Sequence, residues 1–290
     1  LIVTDLDPER NPAWFQWGSG PDQAIGDIPC LGRDGDGFYK PMAVDTDTLM
    51  APKGLVMAVD PSGKGKDETA FAVVGAHNGF FLLLDAGGIP GGYDDTVLQA
   101  LVDRAKALGV RDIKVEENFG GGMFAKLLQG KLQEAGHRAG VEEVRHSRQK
   151  ELRIADTLEP VMNRHRLVVD RQVLLRDYKS VQGRTNERAR EYSLVFQMTR
   201  LAREKDCLVH DDRLDALAMA VAHFADQAAQ DARKLAEKES ERRLREELDE
   251  FMRDSYGHPV RPEGPGRHLN GPSRSMGKST RFAPERRRRT

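Results

Sequence analysis

Leu55-Val-Met-Ala-Val-Asp60 is a short apolar run that ends in a carboxylate. Two further apolar runs follow it, Thr69-Ala-Phe-Ala-Val-Val74 and Phe80-Phe-Leu-Leu-Leu-Asp85, and Asn78-Gly79 lies between them. Short apolar runs bounded by turn residues are typical of buried strands, and an Asn-Gly pair between two such runs is a strong hairpin signal. We therefore predict three adjacent strands, of which at least the last two are antiparallel.

Helices and further strands alternate after these three strands. Apolar residues recur at helical spacing over residues 94–108, and Gly109 is well placed to end that helix. Apolar runs over residues 112–116 and 141–144 predict two more strands. Three more helices are predicted over residues 123–135, 150–165 and 211–225. This order predicts an α/β fold with a mixed sheet flanked by helices.

The two ends of the chain differ from this central part, residues 55–225. Residues 1–54 are rich in Gly and Pro and show little periodicity, so we interpret them as a loop-rich lead-in or linker. Residues 226–255 are predicted to form a densely charged helix. Residues 256–290 contain nine Lys or Arg against two Glu, and their composition predicts a disordered basic tail.

Composition narrows the class of protein. The 290 residues include 45 Lys and Arg against 46 Asp and Glu, a net charge of −1, which argues against a wholly basic DNA-coating protein. Cys30 and Cys207 are far apart in sequence, which disfavours a disulfide scaffold or a cysteine zinc site and fits a reducing compartment. No apolar run approaches the length of a membrane span, and no signal peptide is recognisable. Because the chain begins with Leu, we interpret it as a fragment or a processed product.

Acidic residues collect at the ends of the predicted strands and at the start of the last predicted helix. They are Asp60, Asp67, Glu116, Glu117, Asp211, Asp212 and Asp215. Taken singly, such residues usually cap turns or helices. Several carboxylates at one sheet edge, however, bind hard divalent cations, because Mg²⁺ prefers oxygen ligands. Two such ions can activate a water and stabilise the leaving oxygen of a phosphodiester, so the pattern predicts a metal-dependent site.

Longer motifs extend this pattern. They are Val59-Asp-Pro-Ser-Gly-Lys-Gly-Lys-Asp-Glu-Thr69, Val115-Glu-Glu-Asn-Phe-Gly-Gly-Gly-Met123, Lys150-Glu-Leu-Arg-Ile-Ala-Asp-Thr-Leu-Glu-Pro160, His165-Arg-Leu-Val168 and His210-Asp-Asp-Arg-Leu-Asp-Ala-Leu217. In order and spacing they resemble the C-terminal nuclease half of the large terminase subunit of T7-like tailed phages. The resemblance runs from near residue 1 to about residue 225. It implies an RNase H-like (RuvC-type) fold and a Mg²⁺- or Mn²⁺-dependent endonuclease, with two ions per site, that cuts concatemeric double-stranded genomic DNA during packaging.

The resemblance also implies roles for particular residues. Asp60, Glu116 and Asp212 would be the catalytic acids and metal ligands, with Asp67 as an auxiliary acid. Two choices stay open. Glu117 neighbours Glu116, but alternation along a strand lets only one of them point at the site. On the helix we prefer Asp212, then Asp211, then Asp215.

Basic residues near the predicted site are candidate contacts for DNA phosphates, which would confer little sequence preference. They are Lys64, Lys66, Arg145, Arg148, Lys150, Arg153, Lys179, Arg184, Arg188 and Arg190. The last four flank or lie in a polar stretch, residues 180–191, that we predict to be a mobile loop. For any one of them, an ordinary solvated surface charge is an equally good interpretation.

No stretch fits the P-loop pattern between a strand and a helix, so we expect an ATPase motor to lie outside this chain. The resemblance implies double-stranded DNA, the portal protein, the small terminase subunit and the ATPase domain of the full-length protein as partners, in the cytoplasm of the infected host cell. Two other readings remain. One is a different RNase H-like nuclease of the junction-resolvase type, and the other is a non-catalytic packaging module that grips DNA or the portal.

Overall fold

Among the described residues, nine of the strands join one mixed sheet. The computed structural model describes residues 1–63, 67–117, 122–182, 184, 188–225, 241 and 244–249. The strands are β1 (Ile2–Thr4), β2 (Asn11–Pro12), β3 (Phe15–Gln16), β4 (Ala24–Ile25), β5 (Phe38–Tyr39), β6 (Ala43–Val44), β7 (Leu49–Met50), β8 (Gly54–Asp60), β9 (Glu68–His77), β10 (Phe80–Pro90), β11 (Asp112–Glu116), β12 (Gly140–Val144) and β13 (Leu167–Asp170). The order in the main sheet is β12-β11-β8-β9-β10-β13-β1-β5-β4.

The centre of the sheet is the predicted set of three strands. β8, β9 and β10 pair antiparallel to one another. Asn78 and Gly79, with φ of 47° and 80°, form the turn between β9 and β10. Positive φ at both positions is what a tight hairpin turn requires, which explains the Asn-Gly pair. β11 then pairs parallel with β8, and β12 parallel with β11, so three carboxyl ends lie at one edge of the sheet.

Helices cover both faces of the sheet. They are α1 (Asp95–Leu108), α2 (Met123–Glu134), α3 (Lys150–Asn163), α4 (Arg171–Gln182), α5 (Leu194–Arg200) and α6 (residues 212–225). Alternation along β8 separates two cores. Val56 and Ala58 pack with α3, α4, α5 and α6, whereas Met57 and Val59 pack with α1 and α2. The helices predicted over residues 94–108, 123–135, 150–165 and 211–225 are present with shifted ends.

Residues 1–54 contribute three strands to this sheet, whereas β2 and β7, and β3 and β6, form two separate two-stranded sheets. β1 pairs parallel with β13 and with β5, and β4 pairs antiparallel with β5. The described residues up to 225 belong to one compact unit. The predicted boundary at residue 55 therefore does not divide the fold. Strands of two or three residues are too short to show periodicity, which is why the sequence did not indicate them.

The segment between residues 165 and 211 also holds more structure than we predicted. β13 and α4 precede the polar stretch assigned to a loop, and α4 extends into that stretch as far as Gln182. Ala189–Tyr192 forms a short 3₁₀ helix and α5 follows it. The side chain of Ser193 caps α5 by accepting a hydrogen bond from Phe196 N.

The C-terminal predictions are covered only in part. Of the charged helix predicted over residues 226–255, the structure describes 241 and 244–249, which are helical. The basic tail predicted over residues 256–290 lies outside the described residues. In the described part of the chain, no helix combines the length and the apolar character needed to cross a membrane.

Candidate metal centre

Asp60 and Glu116 meet because their strands are neighbours in register. β8 and β11 are parallel and Val59 pairs with Val115, so Asp60 and Glu116 come next at the same sheet edge. Both also face the same side. Asp60 follows the alternation of the β8 residues that pack toward α6, and Glu116 alternates with Val115, which packs on the opposite face. Two carboxylates therefore point toward the start of α6.

Helix α6 supplies the third carboxylate of this cluster. Asp215 is completely buried, with 0% of its surface exposed. One carboxylate oxygen from each of Asp60, Glu116 and Asp215 lies within 4.8 Å of the other two. We call these three residues the strand-end group. The side chain of Glu117 instead lies 3.7 Å from Arg145 (Oε2 to Nε), so of these two neighbours only Glu116 belongs to the group.

A second cluster adjoins the first. Ligand atoms of Asp67, His210 and Asp212 also lie within 4.8 Å of one another, and all three residues are partly exposed. His210 Nδ1 is 3.6 Å from Asp67 Oδ1. We call these three residues the His210 group. It includes an imidazole that the sequence did not lead us to count as a metal ligand.

The arrangement of the helix acids differs from the one we expected. We preferred Asp212 as the partner of Asp60 and Glu116, and Asp215 came third. In the structure Asp215 takes that place and Asp212 joins the His210 group. Asp211 directly precedes α6, whereas Asp212 and Asp215 lie on it at different angles, and the rotation of the helix is set by how Leu214 and its apolar neighbours pack on the sheet. Tertiary packing, and not the local sequence, decides it.

Lys150, predicted as a DNA contact, lies among these carboxylates. Its Nζ is 2.9 Å from Asp211 Oδ1, 3.2 Å from both Asp60 Oδ2 and Asp215 Oδ2, and 3.7 Å from Asp212 Oδ1. One ammonium therefore contacts members of both groups. Since like charges repel strongly in a buried site, this cation offsets part of the repulsion among the acids.

Arg153, one helical turn along α3 from Lys150, adds a second positive charge. Its Nη2 is 2.8 Å from Asp215 Oδ1 and 3.4 Å from Glu116 Oε1. Residues three apart on a helix share a face, so α3 presents both cations to the acids at once. Lys150 and Arg153 thus act first as internal counter-charges, and only 12% of the Arg153 side chain is exposed.

Burial dominates the electrostatics of the site. It raises the pKa of Glu116 to about 8, and the charges of Asp60 and Asp215 add to the shift. Burial likewise raises the pKa of Asp212 to about 7, with the charge of Asp60 as the next cause. The pKa of Asp60 is raised by burial although Lys150 opposes the shift. Burial alone would lower the pKa of Lys150, but the surrounding carboxylates raise it.

The donor atoms fit divalent cations. Asp215 Oδ1 is buried and has no hydrogen-bond donor in acceptable geometry among the described residues, although Arg153 lies within ion-pair distance. The strand-end group offers oxygen alone, which suits Mg²⁺ and Mn²⁺. The His210 group combines two carboxylates with an imidazole, and imidazole ligands favour first-row transition metals.

The other predicted DNA contacts are distributed around the site. Arg145 and Arg148 are exposed and form ion pairs with Glu117 and Asp156. Arg188 is exposed and lies 3.9 Å from Glu191. Lys64 and Lys66 lie outside the described residues, as do Asn118 and Gly120, which follow Glu116 in the motif over residues 115–123.

Arg184 is not a free surface charge. It pairs with the buried Glu68, and its guanidinium lies 3.6 Å from the centroid of the Tyr192 ring. Tyr192 in turn stacks on His210 with ring centroids 3.7 Å apart. Two groups this close to one ring centroid must lie on opposite faces, so Tyr192 is held between Arg184 and His210.

Three residues near the acids were not identified as site residues by sequence analysis. His146 follows β12 at the same sheet edge and has a buried Nε2 without a hydrogen-bond partner among the described residues. Burial lowers the pKa of His146, and the charge of Arg153 adds to the shift. Arg213 and Glu68 form a buried ion pair beside the His210 group. Arg213 could have been noticed, because a charge four residues before Leu217 lies on the buried side of α6.

Comparison with known proteins identifies terminase relatives of this chain. Residues 59–167 match the family model described as Terminase Bacteriophage T7, Ribonuclease H-like domain. The chain is also 37% identical over 263 residues to the terminase large subunit of Enterobacteria phage T3. That alignment covers 91% of this chain and 43% of the T3 protein, so the chain spans less than half the length of this relative. The predicted mixed α/β, RNase H-like fold is confirmed.

Among the solved structures that this chain is similar to are the following three terminase proteins. The human cytomegalovirus terminase nuclease domain, soaked with Mn and bound to an inhibitor, is 17% identical and has a TM-score of 0.42, over 59% of this chain and 82% of that one. The nuclease domain of the large terminase subunit of bacterial virus Sf6 is 13% identical with a TM-score of 0.41, over 59% and 89%. The large terminase of a thermophilic bacteriophage is 14% identical with a TM-score of 0.35, over 58% and 38%.

Proposed function

We propose that this chain, whose residues 59–167 match the ribonuclease H-like domain family of phage T7 terminase, is the nuclease part of a terminase large subunit. Its reaction would be metal-dependent endonucleolytic cleavage of concatemeric double-stranded genomic DNA. The observation that carries the proposal is the strand-end group. Its carboxylates come from β8, β11 and α6 and converge beside two cations, an arrangement that costs folding free energy and has no structural need.

The metal ligands follow from the two groups. Asp60, Glu116 and Asp215 would hold one Mg²⁺ or Mn²⁺ ion, and the His210 group would hold a second. When bound, two such ions supply Lewis acidity, which lowers the pKa of a water and stabilises the leaving oxygen in an in-line displacement. The carboxylates of the chain hold these charges in place, and the burial of Asp215 keeps competing water away from it.

Positive side chains around the acids would position the DNA. Lys150 is 31% exposed, so it can meet a phosphate oxygen as well as the carboxylates. Arg145, Arg148 and Arg188 are exposed and would contact the backbone without reading sequence. Because the affinity would come from phosphate contacts, it should fall steeply as salt rises.

The partners of the complete protein are part of the same proposal. The portal protein, the small terminase subunit and an ATPase domain would act with this chain in the cytoplasm of the infected host cell. The basic residues 256–290, with a net charge of +7, would bind DNA or the portal. The coverage of the T3 relative leaves room for a motor domain in the longer protein.

A plasmid assay tests the activity. Supercoiled plasmid is incubated with the protein and Mn²⁺, with and without excess EDTA, beside Asp60→Ala. We expect nicked and linear DNA only when the wild-type protein is incubated with Mn²⁺ in the absence of EDTA. Asp60→Ala should not cleave, because Asp60 contributes to the strand-end group. Asp156→Ala is a matched control, since Asp156 is an exposed acid of the same helix that carries Lys150.

Three results would contradict the proposal. Cleavage that persists in EDTA or in Asp60→Ala would exclude a mechanism that depends on metal at these acids. Metal-dependent binding of DNA without cleavage by any form would favour the non-catalytic packaging module. A four-way junction cut in clear preference to linear duplex would favour the junction-resolvase reading.

A further inference from the structure

Arg213 is a buried arginine whose donors are directed at two buried acids. None of its surface is exposed. Its Nε and Nη2 donate to Oε1 and Oε2 of Glu68 at 2.6 and 3.0 Å, a bidentate contact. Its Nη1 donates to Asp177 Oδ1 and to Ser180 Oγ, both at 2.8 Å. Bidentate pairing fixes orientation as well as distance, which a lysine could not do.

The bidentate contact joins the two backbones that carry the His210 group. Glu68 is the first residue of β9 and directly follows Asp67. Arg213 directly follows Asp212 in the first turn of α6. The distance between the two carboxylates of the His210 group is therefore set by the ion pair between the residues next to them.

Asp177 holds the opposite end of this guanidinium. It lies on α4, is buried, and also accepts hydrogen bonds from Ser193 Oγ at 2.6 Å and Leu194 N at 2.9 Å. The start of α5 is thereby tied to α4 and to Arg213. The guanidinium is consequently anchored on a strand and on a helix.

The strand-end group has a different anchor. Asp60 and Glu116 are placed by the register of β8 and β11, which is continuous over four residue pairs. Members of the His210 group lie just before β9 and around the start of α6, outside the named strands, and Asp67 is held only at its carbonyl oxygen, which accepts a hydrogen bond from Gly91 N, among the backbone contacts of the described residues. Loss of the Arg213 anchor should therefore affect the His210 group more than the strand-end group.

Stability alone does not explain the buried pair. Replacing a buried ion pair with apolar side chains of similar size is often neutral for stability or even stabilising. We propose that Arg213 is a positioning residue that, through Glu68, holds Asp212 against Asp67 and so sets the affinity of the His210 group for its cation. The inference rests on the proposed function, since it assigns this group a bound metal.

The test removes both charges of the pair together. Glu68→Leu/Arg213→Met is compared with wild type for its thermal midpoint in EDTA and for Mn²⁺ binding by calorimetry. Asp85→Leu/Arg176→Met is the matched control. That pair joins β10 to α4, the helix that carries Asp177, at 2.8 Å (Asp85 Oδ1 to Arg176 Nη2). We expect the double variant to lose some thermal stability, because Asp177 and Arg184 each lose a charged partner, but to keep one tight Mn²⁺ and to bind the second Mn²⁺ about tenfold more weakly. The control should bind both ions as wild type does.

Arg213→Lys keeps the charge and decides the question should the double variant not fold. It loses the bidentate contact, so we expect second-ion binding to weaken several-fold and to recover partly at higher Mn²⁺. Wild-type affinity for both ions in the folded variants would overturn the inference and leave the proposed function intact. A wild-type chain that binds no Mn²⁺ would overturn the proposed function, and this inference with it.

Discussion

The strand-end group and the His210 group contain three ligands each, but they are built in opposite ways. Asp60 and Glu116 are placed by paired strands, and Asp215 is completely buried between them and two cations. Asp67, His210 and Asp212 are partly exposed and lie in loops or at a helix start. The strand-end group is mostly buried, with only Glu116 partly exposed, whereas all three members of the His210 group are partly exposed.

This difference suggests a division of labour between the two proposed ions. A rigid oxygen site sets the position of a cation by its backbone, so it tolerates little change in its ligands. An open site with one imidazole exchanges its ion and its water more readily, and it depends on neighbours such as Arg213 for its shape. Variants of matched chemistry in the two groups should therefore have unequal effects.

The largest expected difference is between two acids on the same helix. Asp215→Asn should lower Mn²⁺-dependent cleavage by about 100-fold or more, since metal stabilisation of developing charge is worth several kcal/mol. Asp212→Asn should lower it about tenfold, with much of the activity regained at higher Mn²⁺. Plasmid nicking rates over a Mn²⁺ series measure both effects.

The exposed acid variant Asp156→Asn serves as the control for that series and should keep the wild-type rate. Thermal unfolding in EDTA is recorded for each variant, so that a loss of fold is not taken for a loss of metal. If Asp212→Asn proved more damaging than Asp215→Asn at every Mn²⁺ concentration, our assignment of the two groups would be reversed.

A second prediction concerns the cation shared by both groups. Lys150→Met should destabilise the metal-free protein by about 1–3 kcal/mol, because it removes the ammonium that contacts four carboxylates. Mn²⁺ should restore most of this loss, since a divalent ion can replace the missing charge. Thermal midpoints with EDTA and with Mn²⁺ provide the comparison.

Lys114→Met is the matched control. Lys114 pairs with the exposed Glu142 on the neighbouring strand, and exposed pairs are worth at most about 1 kcal/mol. The thermal midpoint of Lys114→Met in EDTA should be close to that of wild type, and Mn²⁺ should raise both midpoints by the same amount. A Lys150→Met protein as stable in EDTA as the Lys114→Met protein would show that the acids need no internal counter-charge.

The smallest expected effect is a pH dependence of the metal-free protein. Burial raises the pKa of Glu116 from 4.5 to about 8, so between these values the folded protein holds a proton that the unfolded chain has released. The contribution of protonated Glu116 to the free energy of unfolding is therefore complete below about pH 4.5 and is lost as pH rises through about 8. The thermal midpoint in EDTA should fall across this interval, by about 2–4 °C for each kcal/mol lost.

Glu116→Gln isolates this contribution. The quantity to follow across the pH range is the thermal midpoint of wild type minus that of Glu116→Gln, both in EDTA. Asp212→Asn gives the corresponding value for the His210 group, and its change should be complete by about pH 7, because burial raises the pKa of Asp212 only that far. Saturating Mn²⁺ should abolish both differences, since metal replaces the protons. A wild-type midpoint that gains on Glu116→Gln as pH rises would contradict the assignment.

Much of the fold could be predicted from short-range patterns. The apolar runs and the Asn-Gly pair were enough to predict β8, β9 and β10, because a two-residue turn leaves few alternatives for its flanking strands. β1 and β13 were not predicted, since each is stabilised by pairing with a distant part of the chain. Their pairing joins Ile2 to Val168, and no local pattern records such a contact.

The candidate site was predictable to a similar extent. Carboxylates at the ends of adjacent parallel strands indicated Asp60 and Glu116, because such ends share a sheet edge. The rotation of α6 was not predictable, and it decides whether Asp212 or Asp215 faces them. The position of Lys150 was not predictable either, because it lies 90 residues from Asp60 in the sequence and meets it only in the folded chain.

By itself, the sequence determined the α/β class, the central strands, the set of candidate acids and the resemblance to terminase nucleases. These features depend on residue type and local spacing, which the chain carries before it folds. The tertiary structure decided which acids share a cation, that Lys150 and Arg153 neutralise them, and that Arg213 and Glu68 tie β9 to α6. The physical reason is that burial and charge pairing depend on distances between residues far apart in the chain, and only packing sets those distances.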